Sequence, residues 1–179
     1  GAPTPADKTL RRYFTRLARS PGSVCKVSAF DDLLAANQHY SITYPLGTFD
    51  GVARAGIAVV TCMDSRIDPL GMLGLQPGDA KIFRNPGGRV TDAALEALVL
   101  AVHLLGVERI LVVPHTRCAV VSHSEEELRR RVGESAGVDA SWQTFHVIHD
   151  QQLALRDDVH RVRAHPLIPD SIVVGGFVY

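Results

Sequence analysis

Cys62, His115 and Cys118 are the residues of this chain whose types and spacing best suit metal binding. Cys62 is followed, 53 positions later, by the pair His115-x-x-Cys118. Thiolate and imidazole are the ligands that a borderline-soft divalent ion such as zinc prefers. Three protein ligands leave a tetrahedral zinc ion one position for water, whereas a structural site closes with four protein ligands. The set therefore predicts a catalytic metal site with one zinc ion per subunit.

Two charged residues, Asp64 and Arg66, follow Cys62 in the pattern Cys-x-Asp-x-Arg. Beside a zinc ion, the Asp64 carboxylate can accept the proton of zinc-bound hydroxide and orient its oxygen, while Arg66 holds the carboxylate in place. Loss of that pairing would free Asp64 to bind the zinc as a fourth ligand. The alternative is a structural ion pair at a strand end, but that leaves the neighbouring thiol and its distant partners unexplained.

Two buried strands are predicted to position the candidate metal ligands, because a short apolar run ends just before Cys62 and another just before His115. Residues 56–60 (GIAVV) precede Cys62, and residues 109–113 (RILVV) precede His115. Such runs are typical of parallel strands that are covered on both faces. Open α/β folds build their sites at the carboxyl edge of the sheet, so we expect the three ligands to meet there.

A glycine-rich turn, residues 85–88 (NPGG), follows a third apolar run at residues 80–83 and precedes a predicted helix. Backbone N–H groups in such a turn, together with a helix N-terminus, suit a small anion. Asn85, Gly87 and Gly88 are therefore predicted to offer backbone groups to the substrate pocket. An ordinary tight turn is the alternative, and the spacing is not the Gly-x-Gly-x-x-Gly of a dinucleotide site.

The rest of the chain alternates between helical and strand patterns. Helices are predicted over residues 28–40 (with Ser28 as N-cap), 68–75, 92–105, 124–131 and 150–163, and a last strand over 172–178. Residues 142–149 fit either a short strand or a helix start. The alternation predicts the α/β class, with a central, mostly parallel β-sheet flanked by helices on both faces.

Size and composition favour one domain with an arm. The chain has 179 residues, of which 46% are hydrophobic and 21% charged, so it can bury a substantial core. Residues 1–24 form a basic amphipathic pattern, which we interpret as an N-terminal extension or arm in preference to a membrane-surface or targeting segment. Residues 25–179 would then be the catalytic domain. Cys25 lies outside the ligand set and is interpreted as a bystander thiol.

Net charge and cysteine content indicate which class of partner the protein binds and in which cellular compartment it works. Basic and acidic residues balance at 19 each, so no net charge favours nucleic acid or a membrane surface, and a small-molecule substrate is expected. Three cysteines make no disulfide framework, which fits a reducing compartment. No apolar run reaches the length of a membrane span and no signal-peptide core is visible. We expect a cytoplasmic protein.

At these motifs the sequence resembles the β-class carbonic anhydrases over roughly residues 30–179, and it is most similar to their short, compact members. The family pattern is Cys-x-Asp-x-Arg followed by His-x-x-Cys, with further similarity in residues 84–88 and in Thr91-Asp92. The resemblance implies a three-layer architecture and a zinc-dependent lyase that reversibly hydrates carbon dioxide to bicarbonate and a proton. It also implies a homodimer or a dimer of dimers with the site at the subunit interface. Ala119 departs from the glycine that many members have, and its methyl group could narrow the pocket.

Two other functions stay open on the same residues. One is hydrolysis of carbon disulfide or carbonyl sulfide, which pocket access would decide. The other is a structural or regulatory zinc protein without turnover, which predicts four protein ligands. For the enzyme, two thiolates cancel the charge of the ion, so its water should be less acidic than the value of about 7 found with three histidines. Activity should therefore rise on the alkaline side of neutrality.

Overall fold

The computed structural model describes residues 29–179. These residues divide into two units, residues 29–48 and Phe49–Tyr179. The predicted arm over residues 1–24 and the thiol of Cys25 lie outside the described residues, and both stay predictions. All of the predicted metal ligands and the residues of the glycine-rich turn belong to the second unit.

Helix α1, Asp31–Thr43, belongs to the first unit. Phe30 occupies the N-cap position without a side-chain cap, so the predicted start at Ser28 is wrong. Asp31 and Asp32 stand in the first turn, where carboxylates interact favourably with the positive end of the helix dipole. No residue of α1 is buried.

A four-stranded parallel sheet forms the centre of the second unit. Its strands are β1 (Ile57–Cys62), β2 (Ala80–Asn85), β3 (Arg109–Val113) and β4 (Val173–Gly176). Their spatial order is β2-β1-β3-β4, and every neighbouring pair is parallel. The predicted α/β class with a parallel central sheet and flanking helices is confirmed.

Four further helices follow the strands. They are α2 (Asp92–Leu104), α3 (Ala119–Ser122), α4 (Glu125–Ala136) and α5 (Gln151–Arg163), with 3-10 turns at Gly71–Leu73 and Pro86–Gly88. The side chains of Thr91, Ser124 and Asp150 each accept the N–H of the residue three positions later, which caps α2, α4 and α5. In the described part of the chain, no helix is long and apolar enough to span a membrane.

The core fills the space between this sheet and its helices. Helix α2 packs on β1, and α5 packs on β3 and β4. Fully buried side chains at the centre include Val60 and Val112, which are register partners on β1 and β3, and Leu98 of α2. Because β1 connects to β2 on one side and borders β3 on the other, the strand order changes direction between β1 and β3. That position is where open α/β sheets leave a crevice for a ligand.

Four predicted elements of the second unit differ in extent, one of which is α4, which runs to Ala136 and not to residue 131. The helix predicted over residues 68–75 is a single 3-10 turn, because Gly71 and Gly74 favour the coil and Gly74 takes a left-handed conformation with φ 67°. Residues 142–149 form neither helix nor strand. Strand β4 is shorter than the predicted 172–178, although the N–H of Phe177 still donates to the Val112 carbonyl at 3.2 Å.

Candidate metal centre

The three predicted ligands converge at the carboxyl edge of the sheet. Cys62 is the last residue of β1, His115 lies two residues beyond the end of β3, and Cys118 immediately precedes α3. One ligand atom from each lies within 4.8 Å of the others, and all three residues are buried. We call residues 115–118 the ligand loop. The carboxyl ends of β1 and β3 therefore bring Cys62 together with two side chains that come 53 and 56 positions later in the sequence.

The distances suit a zinc ion. The sulfur atoms of Cys62 and Cys118 are 3.8 Å apart. Two Zn–S bonds of about 2.3 Å at the tetrahedral angle would place their sulfurs about 3.8 Å apart. The Nε2 atom of His115 is buried and has no hydrogen-bond partner within the described residues. A buried polar atom without a partner is costly, and coordination of a cation would satisfy it. The donor set and its spacing thus fit zinc.

The surroundings of the sulfurs are largely apolar. Burial raises the pKa of the Cys118 thiol, and this effect outweighs the backbone N–H groups of Val120 and Gly87, which donate to the sulfur and favour the thiolate. Ile67 and Met72 pack around the two cysteines. Since a thiol must be deprotonated to bind a metal, a cation at this position supplies the charge that the apolar surroundings lack.

Asp64 and Arg66 form a bidentate ion pair beside the cluster. The Arg66 Nε donates to Oδ1 at 2.9 Å, and Nη2 donates to Oδ2 at 2.7 Å. The side chain and backbone N–H of Arg66 hold the pKa of the Asp64 carboxyl well below its usual range. The Asp64 Oδ2 lies 3.8 Å from the Nε2 of His115, so the carboxylate stands next to the ligand atoms.

Arg84 is a residue of the site to which the sequence assigned no role. Its Nε donates to the Cys62 carbonyl at 2.9 Å, and its Nη2 donates to the Asp64 carbonyl at 2.5 Å. These bonds fix the turn that leads from the metal ligand to the carboxylate. The sequence could have indicated a role for Arg84, because it is a charged residue near the end of the apolar strand Ala80–Asn85 and such a residue needs a polar partner.

The glycine-rich turn packs against the metal ligands. The Asn85 side chain closes the turn: its Nδ2 donates to the Arg89 carbonyl at 2.7 Å, and its Oδ1 accepts the Arg89 N–H at 2.8 Å. A Cβ at Gly88 would lie 3.0 Å from the Cys62 backbone nitrogen. A Cβ at Gly87 would lie 2.8 Å from the Cδ1 of Ile148. Both glycines have positive φ, so glycine suits the turn for its conformation and for the close approach.

The arrangement can hold one divalent cation with three donors and place a carboxylate of fixed orientation beside it. Such a centre can activate a water molecule and align it, which is the chemistry of metal-assisted hydration or hydrolysis. The structure brings together the residues that the sequence pattern indicated. Arg84 and the other supports lie outside the pattern.

Comparison with known proteins places these motifs in a family. A family model described as carbonic anhydrase matches residues 57–172. Beta-carbonic anhydrase 1 of Mycobacterium tuberculosis is 30% identical over 149 residues, covering 83% of this chain and 90% of the relative. A carbon disulfide hydrolase of Acidianus is 33% identical over 146 residues, covering 68% of this chain and 71% of the relative.

Solved structures agree with the fold described above. The crystal structure of a carbonic anhydrase from Streptococcus mutans superposes with a TM-score of 0.75 at 35% identity, covering 87% of this chain and 93% of that one. A carbonic anhydrase from Glaciozyma antarctica gives a TM-score of 0.69 at 31% identity, covering 83% and 90% of the two chains.

Proposed function

The chain belongs to the β class of the carbonic anhydrase family, and we propose that it catalyses the zinc-dependent, reversible hydration of carbon dioxide to bicarbonate and a proton. The observation that carries this proposal is the buried cluster of Cys62, His115 and Cys118 with the Asp64–Arg66 pair beside it. A bare structural zinc site has no need of a carboxylate that is held in one orientation next to the ligands.

Each residue of the site has a role in this proposal. Cys62, His115 and Cys118 would hold the zinc ion, which when bound supplies a Lewis acid that makes water a nucleophile near neutral pH. The Asp64 carboxylate accepts a hydrogen bond from the attacking water and turns its lone pair toward the carbon atom of the substrate. Arg66 keeps both carboxylate oxygens in place and so prevents Asp64 from turning toward the cation.

Hydrolysis of carbon disulfide or carbonyl sulfide on the same site is the second candidate. The similarity to carbon disulfide hydrolases favours it, since one of these is 33% identical over 146 residues. The residues that would hold the metal and the carboxylate are the same for both reactions. Size and polarity of the substrate path distinguish the gases, so the two functions differ in the access route and not in the chemistry at Asp64.

Stopped-flow assays on the zinc-loaded protein test the proposal. Hydration of carbon dioxide is expected to be fast in the unsubstituted protein and lost, with the bound zinc, in Cys62→Ser. Cys25→Ser is the matched control, because it removes a thiol outside the ligand set and should keep one zinc ion per chain. Parallel assays with carbon disulfide and carbonyl sulfide decide between the two enzymatic candidates.

A zinc-loaded protein that turns over none of the three gases would instead support a structural or regulatory role. That role predicts a fourth protein ligand. Both arrangements give four ligands, so the identity of the fourth decides: a crystal structure of the zinc-loaded protein should show an oxygen from water beside the three protein donors.

We also propose that the active form is a homodimer or a dimer of dimers in the cytoplasm. The resemblance to the family supports the assembly, and so does helix α1, in which no residue is buried. Thiolate ligands are preserved in a reducing compartment, which supports the location. Light scattering of the full chain measures the mass of the assembly, and cell fractionation tests the compartment.

A further inference from the structure

Gln151 links the first residue of helix α5 to a predicted metal ligand. Its side-chain Nε2 donates a hydrogen bond to the backbone carbonyl of His115 at 2.9 Å, and the contact is partly buried. The two residues are 36 positions apart in the sequence. This bond therefore ties an element outside the sheet to the backbone that carries the imidazole.

Other hydrogen bonds to the backbone hold the chain on both sides of the bond between Gln151 and His115. The N–H of Tyr179 donates to the Pro114 carbonyl at 2.9 Å, and the N–H of Thr116 donates to the Tyr179 carbonyl at 2.8 Å. Arg66 Nη2 donates to the Arg117 carbonyl at 3.3 Å. Among the contacts that the described residues make with this run, the bond to the His115 carbonyl comes from an uncharged side chain.

The imidazole itself has little to orient it. Metal-binding histidines usually donate their second ring N–H to a carbonyl, a carboxylate or water. Within the described residues, however, no hydrogen bond is formed by either ring nitrogen of His115. The Asp64 Oδ2 lies 3.8 Å from Nε2, which is too long for a hydrogen bond. The direction of the ring is therefore set mainly by its backbone.

The residues next to Gln151 are well fixed. The Asp150 side chain accepts the Leu153 N–H at 2.9 Å and caps α5. The N–H of Ile148 donates to the Val120 carbonyl at 2.8 Å, which joins the segment before the helix to the residues after Cys118. The backbone that carries Gln151 is therefore held in place, so its bond to His115 costs side-chain entropy and little backbone entropy.

We propose that Gln151 is a positioning residue of the metal centre, which fixes the His115 peptide and thereby aims Nε2 at the cation. The inference rests on the proposed zinc site. It predicts that loss of the Gln151 amide lowers zinc affinity and alters the coordination geometry, although Gln151 does not itself touch the metal.

Gln151→Met tests this role, because methionine has a similar length and helix propensity but no hydrogen-bond donor. Gln152→Met is the matched control, since Gln152 is the exposed neighbour on the same helix turn. Competition with a chromophoric chelator should give a zinc dissociation constant about 10-fold higher for Gln151→Met. The cobalt(II)-substituted protein should show a changed visible absorption spectrum, whereas Gln152→Met should match the unsubstituted protein in both measurements.

Two results would overturn the inference while the proposed function stands. One is equal zinc affinity and equal cobalt spectra in the two variants. The other is a lower melting temperature of zinc-free Gln151→Met with an unchanged cobalt spectrum, which is the signature of a merely structural bond. If the unsubstituted protein takes up no stoichiometric zinc, the proposed function fails and the positioning role fails with it.

Discussion

The guanidinium of Arg66 binds both carboxylate oxygens of Asp64, with Nε 2.9 Å from Oδ1 and Nη2 2.7 Å from Oδ2. A bidentate pair of this kind fixes the plane of the carboxylate as well as its position. Lysine cannot reproduce it, because an ammonium group is a single point charge. In the proposed zinc site, the pair would therefore keep the carboxylate from turning toward the ion.

Arg66→Ala should free Asp64 to reach the metal ion as an additional ligand. We expect carbon dioxide hydration to fall by roughly 100-fold, the loss typical of a misplaced catalytic group. Zinc content should stay at one ion per chain, and the crystal structure of the zinc-loaded variant should show the carboxylate in place of water. Arg54→Ala is the control, since Arg54 pairs with Asp79 at 3.4 Å and is not among the residues of the centre. Full activity in Arg66→Ala would contradict the role of the pair.

Gly88→Ala should damage the metal centre through the backbone. A Cβ at Gly88 would lie 3.0 Å from the Cys62 nitrogen and the Thr61 carbonyl carbon, so the end of β1 must shift. Gly137→Ala is the matched control, because Gly137 has a similar φ of 69° but no atom within 4 Å of its added Cβ. Urea unfolding should show Gly88→Ala to be less stable than the control by about 1–3 kcal/mol. Zinc affinity should fall in Gly88→Ala alone.

The ion pair between Arg89 and Asp158 should stabilise the contact between the glycine-rich turn and α5. Arg89 Nε donates to Oδ2 at 2.6 Å, and the Asp158 side chain is only 5% exposed. Asp158→Ala leaves the guanidinium without its partner, so we expect a loss of about 3 kcal/mol in the free energy of unfolding. Asp157→Ala, at the exposed neighbouring position, should change it little. Equal losses in the two variants would argue against the pair.

The sequence predicted the sheet and the convergence of the three candidate metal ligands because both depend on local patterns. Two buried apolar runs lead to Cys62 and His115. Because neighbouring parallel strands end at the same edge of a sheet, these two residues were expected to lie close together. The 68–75 helix was wrong in extent because Gly71 and Gly74 prevent it from continuing beyond the turn in which the Asp68 side chain accepts the Gly71 N–H.

The supports of the site could not be predicted in the same way. Gln151 and Asp158 look like ordinary polar residues of an amphipathic helix, and only the tertiary arrangement shows that they face His115 and Arg89. Arg84 lies in the segment 84–88 that resembles the family, yet its partners are backbone carbonyls, which no residue type in the sequence reveals. The long-range hydrogen bonds from side chains to backbone carbonyls are therefore the part of this centre that only a structure can reveal.

Glu127 should make the stability of the protein depend on pH in the acid range. Hydrogen bonds from Arg130 and then Arg131 lower the pKa of Glu127 from 4.5 to about 2. A lowered pKa means that the contribution is fully present above about pH 4.5 and is lost as the pH falls through about 2. The difference in urea midpoint between the unsubstituted protein and Glu127→Gln should be small, since the site is exposed, and should shrink on acidification. Glu126→Gln, at a neighbouring position without these partners, should show no such trend.

The charge of the ligand set should determine the pH dependence of catalysis. Two thiolates offset the charge of a divalent ion, whereas three neutral imidazoles leave it in place, so water at this centre should lose its proton above the value of about 7 known for three histidines. The rate of carbon dioxide hydration should therefore still be rising on the alkaline side of neutrality. Loss of the Glu127 contribution cannot account for such a rise, because it occurs below about pH 4.5. Stopped-flow rates across neutrality, with circular dichroism at each pH to verify folding, measure the profile. A rate already constant below neutrality would show that the thiolates do not govern the acidity of the bound water.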